Sequence, residues 1–283
     1  MAKRGVIVVS AIGIAIALGG CSGPHIKTVT SEQASIQKAA AAKRSSEIHK
    51  EKVEAKKAWD SQLKAESEIE NKLGSLNFQS GYNPVVKINK GASTLSLQDW
   101  QKSIVLFQRK DHQNRTSHMV TAYLDKKNFK LVKNEPNHAR VEGYSKVLDN
   151  NHHPVLVKAN IIDNSLLNGI KPNGSYSSKQ NKINYSNPYN SVVLTSYCQN
   201  TLVQPYVKQI QNALKSNAKV VVQVMPVFYK NDKLCKGVWL QAKGTNGLNF
   251  DVFVFNVQPG YQLNYQTGKV TPNGGWKVGN PQF

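Results

Sequence analysis

The run Val220-Val221-Val222-Gln223-Val224-Met225-Pro226-Val227-Phe228-Tyr229 is β-branched and aromatic almost throughout and reads as a strand. Asn231-Asp232 then offers a turn, and Val238-Trp239-Leu240-Gln241-Ala242 reads as a returning strand. Leu248 to Val257 alternates, with Phe250, Val252 and Val254 on one face and Asp251, Phe253 and Phe255 on the other. Just upstream, Val203, Val207, Ile210 and Leu214 recur at helical spacing and predict a helix from about Thr201 to Ser216. An antiparallel meander packed on a helix makes an α+β domain. Further back, Ser117-His118-Met119-Val120-Thr121-Ala122-Tyr123-Leu124 fits a short helix.

Toward the N-terminus the texture changes. Ser31 to about Leu76 is mostly Ala, Lys, Glu, Gln and Ser with no Pro, a helix-forming composition. Glu47 with Lys50, Glu54 with Lys57 and Glu68 with Lys72 pair at helical spacing. Its apolar positions are sparse, so a membrane-proximal helical stalk and a partly disordered charged linker are both compatible with it. Before it, Lys3 and Arg4 precede an apolar stretch from Val6 to Leu18, the pattern of a signal peptide and shorter than the roughly 20 residues of a membrane-spanning helix. The run Leu18-Gly19-Gly20-Cys21 resembles a bacterial lipobox, which implies lipidation of Cys21. The expected organisation is a lipoprotein signal peptide over 1–20, a charged helical spacer over 21–80 and a folded domain over 81–283. The expected place is the outer face of a Gram-positive-like membrane, held there by the lipid anchor.

The whole chain of 283 residues carries 37 Lys and Arg against 17 Asp and Glu, a formal charge of +20. Residues 24–80 are nearly balanced, with 10 basic and 8 acidic side chains, whereas residues 81–283 hold 25 and 9. The excess of +16 is therefore local, and it excludes an acidic surface for that region. A globular region so charged attracts polyanions: DNA, RNA, anionic wall polymer or lipid headgroups. Cys198 and Cys235, 37 positions apart, serve equally as a disulfide of an exported protein or as two buried thiols, and their spacing matches no Cys-x-x-Cys motif.

Leu248 to Tyr261 followed by Leu263-Asn264-Tyr265-Gln266-Thr267-Gly268 resembles the terminal segment of the DNA/RNA non-specific endonucleases. The likeness is to the branch containing streptococcal DNases, DNA-uptake nucleases and type VII secretion nuclease toxins. Val220 to Ala242 resembles that family's central hairpin, and Asn187-Pro188-Tyr189-Asn190 resembles the Asn-Pro-x-Asn that opens its metal-bearing helix. Asn114-Arg115 through Ala122-Tyr123-Leu124 resembles its early element, so the likeness spans about residues 96–270. The resemblance implies a ββα-metal, or His-Me finger, nuclease-like domain with an antiparallel sheet.

It also implies where the chemistry should sit. A His of the family acts as general base toward the attacking water, and an Asn on the next helix helps hold hydrated Mg²⁺. Pro154-Val155-Leu156-Val157-Lys158-Ala159-Asn160-Ile161-Ile162 occupies the place of the His-bearing strand, so the base position falls on Asn160. An amide nitrogen is not basic near neutral pH. The metal-ligand position falls on Gln199 with Asn200 beside it, and a family acidic position falls on Val207. All seven His lie at or before position 153, with His152-His153 the pair nearest in sequence to Asn160 and Asp163 the nearest carboxylate. Lys158 and Arg115 are the expected nucleic-acid contacts, backed by Lys126, Lys127, Lys130, Lys133, Lys208, Lys215 and Lys219, with Tyr185, Tyr189 and Tyr197 available for base stacking.

Three functions follow as alternatives. The first is a surface-anchored, catalytically degenerate nuclease-like domain that binds DNA, RNA or another polyanion. The second is an active Mg²⁺-dependent endonuclease. The third is an envelope or adhesion lipoprotein whose basic face meets anionic wall polymer. None of them calls for a small-molecule cofactor.

Overall fold

A computed structural model describes residues 31–98, 100–111, 113–132, 135–180, 183 and 185–283. The signal segment, Cys21, His112 and Lys133 lie outside the described residues. The chain divides into two compact units, residues 1–68 and 69–283. Helix α1 runs Ser31–Gly74, as the Ala/Lys/Glu composition predicts. Among the described residues no helix is long and apolar enough to cross a membrane.

The second unit begins within the last turns of α1, where Leu73 is 2% exposed and belongs to the main core. Its strands are β1 (Val85–Lys87), β2 (Ile104–Phe107), β3 (Val120–Leu124), β4 (Leu156–Asn160) and β5 (Ser191–Thr195). A π-helical turn, Cys198–Val203, leads into α2 (Gln204–Lys215). The chain closes with β6 (Val220–Val227), β7 (Gly237–Gly244), β8 (Asn249–Phe255), β9 (Tyr261–Asn264) and β10 (Lys269–Pro272).

The expected meander is the centre of a six-stranded sheet in the order β1-β8-β7-β6-β3-β2, antiparallel throughout. Its two faces are both covered. On one, Tyr206 of α2 packs on Phe250 with centroids 4.9 Å apart, and Tyr206, Val207, Ile210, Ala213 and Leu214 form the buried stripe of the helix. On the other, Phe253, Phe255 and Phe78 form a chain of ring contacts at 4.9 and 5.5 Å. That double burial explains why β8 is apolar on both alternating sets of residues.

Two expectations are corrected. Val120–Leu124 is strand β3, not part of a helix: Val120, Ala122 and Leu124 are buried and alternate with half-buried Thr121 and Tyr123, and the strand is sandwiched between β2 and β6. A run this short has no periodicity strong enough to oppose strand pairing on both edges. Asn187-Pro188-Tyr189-Asn190 opens strand β5 through a single 3-10 turn, and the helix begins only at Cys198. The open question about the cysteines resolves as two free thiols, both buried, and burial pushes the Cys235 thiol up to about 12.

Candidate functional site

Strands β4 and β5 pair antiparallel as a separate two-stranded unit, with Asn160 opposite Ser191, and α2 follows them. This is the β-β-α arrangement that the resemblance implies, with Asn160 at the end of the first strand. The chain beyond Asn160 is clamped by Asn190, which is wholly buried: Ile162 N–H donates to Asn190 Oδ1 at 2.8 Å, and Asn190 Nδ2 donates to the Ile162 carbonyl at 2.9 Å. The Asn187 side chain caps the turn by accepting from Tyr189 N–H at 3.0 Å. The Asn-Pro-x-Asn sequence therefore has a structural reason here, fixing the hairpin end that carries residue 160.

Asn160 is held by an amide network. Asn137 Nδ2 donates to Asn160 Oδ1 at 3.1 Å and to Ser191 Oγ at 2.9 Å, and Ser191 Oγ donates to the Asn187 carbonyl at 2.7 Å. No member of this cluster can take a proton from water near neutral pH. Asn160 and Gln199 line one cavity of about 20 Å³, room for about one water. Most of its remaining wall is aliphatic, including Val203 and Val207, and Val207 is 5% exposed where the family has an acidic position. Gln199 Oε1 is buried without a hydrogen-bond partner, while Asn200 is exposed. Asp163 also lines the cavity, but its Oδ1 accepts from Ser165 N–H and Ser165 Oγ, and its Oδ2 accepts from Gln204 Nε2 at 3.1 Å.

These donors match in part what the resemblance implies for a hydrated Mg²⁺: Gln199 Oε1, at the expected ligand position, is a neutral amide oxygen without a partner. Mg²⁺ asks for a near-octahedral set of hard oxygens, usually with one or two carboxylates. Among the described residues the cavity's one carboxylate, Asp163, is committed to a loop and a helix side chain, so water would have to supply the rest of the shell. Among the described residues no three His, Cys, Asp or Glu side chains are grouped to hold a metal.

The histidines are elsewhere. Among the described residues none lines the cavity of Asn160. His153 is 75% exposed in a turn beside Asp149 at 3.6 Å, and the backbone N–H of His153 is the main reason the Asp149 carboxyl lies below its ordinary range. His118 Nδ1 lies 3.6 Å from Glu70 Oε2. His138 follows Asn137 directly; its side chain is exposed and its N–H donates to Ser186 Oγ at 3.0 Å.

Of the expected nucleic-acid contacts, Lys158 lies two residues before Asn160 and so shares its strand face, its Nζ 4.9 Å from the Tyr144 ring. Arg115 is corrected. It is 7% exposed, bonded to Asp111 Oδ2 at 2.6 Å and to the Asp232 carbonyl at 2.6 Å, and stacked 3.8 Å over Phe228. Its guanidinium is spent inside the fold and is not free for phosphate. Tyr189 is 46% exposed with Lys110 Nζ 6.0 Å from its ring, whereas Tyr185 and Tyr197 are half-buried. Lys126, Lys127, Lys130, Lys208, Lys215 and Lys219 are all exposed. Sequence reasoning missed Asn137, Lys110 and Tyr144; the Asn137 contact spans 23 positions and no local pattern announces it.

No family model matches the sequence. The structure is similar to that of NucA from Streptococcus agalactiae, solved with magnesium bound and with no metal bound, at 25% identity and a TM-score of 0.58 in both cases. The match covers 71% of this chain and 92% of that one. A nuclease described as Sda1 with bound zinc matches at 13% identity over 68% of this chain and 97% of that one, with a TM-score of 0.48. Sheet, β4–β5 hairpin and α2 together make the second unit an α+β domain of nuclease-like fold.

Proposed function

We propose that the chain is a surface-anchored lipoprotein whose nuclease-like domain does not hydrolyse phosphodiesters but binds nucleic acid beside the Asn160 hairpin. The carrying observation is the amide network itself. Asn160 Oδ1 accepts from Asn137, and among the described residues no histidine lines the cavity beside it. Around it stand groups suited to binding: Lys158 over Tyr144, and Lys110 beside exposed Tyr189, two cation-aromatic pairs that hold charge in place for phosphate. The +16 excess of residues 81–283 supplies the long-range attraction. Anchoring at Cys21 rests on the Leu18-Gly19-Gly20-Cys21 sequence.

The test incubates the full chain with plasmid, single-stranded DNA and RNA in Mg²⁺ and in Mn²⁺, with duplex binding measured in parallel. No cleavage above buffer is expected, together with saturable binding that the double variant Lys110→Ala, Lys158→Ala weakens by about tenfold, a little over 1 kcal/mol. Cleavage that disappears in His138→Ala or His153→Ala overturns the non-hydrolytic reading. Absence of DNA and RNA binding at low salt, with retention on a teichoic-acid-like polymer, moves the function to the envelope.

A further inference from the structure

A second cleft, of about 400 Å³, shares no lining residue with the Asn160 cavity. Its floor is an ion pair from the β6–β7 connection: Asp232 Oδ2 and Lys236 Nζ, 3.8 Å apart, with side chains 9% and 15% exposed. Asp232 Oδ2 is buried and has no hydrogen-bond donor. The Lys236 ammonium also sits 4.5 Å over the ring of Tyr265, another lining residue. Burial raises the Asp232 carboxyl despite Lys236 and Arg115 nearby.

The floor is rigid. The Asp232 carbonyl accepts from Arg115, Tyr265 OH donates to the Asn256 carbonyl at 2.9 Å, and the Tyr265 carbonyl accepts the N–H groups of Lys233 and Leu234. The rim is amide-rich and aromatic: Gln262 and Asn264 project from one face of β9, and Trp276 meets Phe78 edge-to-face at 5.9 Å and 60°. The cleft's volume lies in the range of small-molecule sites.

We propose that this cleft binds a pyranose unit of a glycan, a neutral hexose or N-acetylhexosamine. A sugar presents hydroxyl acceptors for the Lys236 ammonium, hydroxyl donors and acceptors for the rim amides, and a C–H face for the indole ring. A phosphate dianion meets the Asp232 carboxylate on the floor. The site is separate from the nucleic-acid surface and stands or falls independently of it.

The experiment titrates the full chain with three probes, the β-1,4 tetramer of N-acetylglucosamine, cellotetraose and maltotetraose, by calorimetry and ligand-observed NMR. Adenosine, thymidine and inorganic phosphate serve as counter-probes. Saturable binding of at least one tetrasaccharide is expected, weakened about tenfold or more in Trp276→Ala and about threefold in Gln262→Ala, with duplex DNA binding unchanged in both. Exposed Gln262 keeps the test independent of folding. Failure of all three glycans to bind the folded chain overturns the proposal. So does glycan binding that both Trp276→Ala and Gln262→Ala leave intact, or competition for the same site by a nucleoside or phosphate.

Discussion

Asp251, wholly buried on β8, accepts from Trp239 Nε1 at 2.6 Å and from Asn89 Nδ2 at 2.8 Å, yet burial outweighs both bonds and raises its carboxyl above the ordinary range. A raised folded pKa means that the protonated form is favoured in the fold. Its stabilising contribution is complete below the unfolded value near 3.8 and declines as pH rises through the folded value. Asp251→Asn should therefore gain stability relative to the parent as pH rises from about 3.5 through the carboxyl range, a trend read from paired urea titrations. A difference between the two proteins that is flat with pH would show that Asp251 titrates normally. Arg115 is argued differently, because its partner is lost as well: Arg115→Ala strands buried Asp111 and removes the donor to the Asp232 carbonyl, so a loss of about 3–5 kcal/mol is expected in denaturant unfolding. Its early sequence position beside Asn114 suggested a ligand contact. Only the fold reveals that the guanidinium is enclosed.

Asn190 shows how one side chain holds an element in place: two hydrogen bonds to Ile162 tie the start of β5 to the residues leaving β4. Asn190→Ala should cost about 1–3 kcal/mol, since it leaves a buried N–H and a buried carbonyl unpaired. The strands that were legible in the sequence, β6 to β8, are long, β-branched and joined by short turns, so local pattern and tertiary pairing agree. Helix α2 was legible for the same reason, through Val207, Ile210 and Leu214. β3 was misread because five residues carry too little period to distinguish helix from strand until β2 and β6 pair on either side of them. The β4–β5 pairing joins segments some 30 residues apart in sequence and was not legible: the likeness marked the first strand alone and set a helix after Asn187. The last turns of α1 were assigned to the spacer, yet Leu73 belongs to the core and the compact unit starts at Ile69. A chain starting at Gly81 should accordingly melt roughly 5–15 °C below one starting at Ile69, the consequence of losing a core leucine and its neighbours. Equal melting points would remove α1 from the domain.

At the scale of the whole molecule, charge and chemistry point in different directions. The basic excess belongs to residues 81–283, and its exposed lysines include Lys126, Lys127 and Lys130 near the turn after β3 and Lys208, Lys215 and Lys219 on and after α2. Several rest over aromatic rings: Lys127 over Tyr176 at 4.5 Å, Lys215 over Phe129 at 5.0 Å and Lys219 over Trp100 at 4.4 Å. Those contacts preorganise the ammonium groups and occupy ring faces that bases would otherwise use, so the binding mode they favour is contact with phosphate rather than base readout. Affinity driven by phosphate contacts carries a definite salt signature, because each neutralised phosphate releases counterion and adds about 0.9 to the slope of log K against log salt. With about five such contacts, duplex affinity should fall several hundredfold between 50 and 200 mM salt and depend little on sequence. Lys158→Ala should reduce the slope by about one while leaving the fold intact, since Lys158 is a half-buried strand residue whose ammonium rests over the Tyr144 ring. A slope near zero, or a slope unchanged by Lys158→Ala together with Lys110→Ala, would place the polyanion contact away from the Asn160 hairpin and detach the binding function from the nuclease-like site.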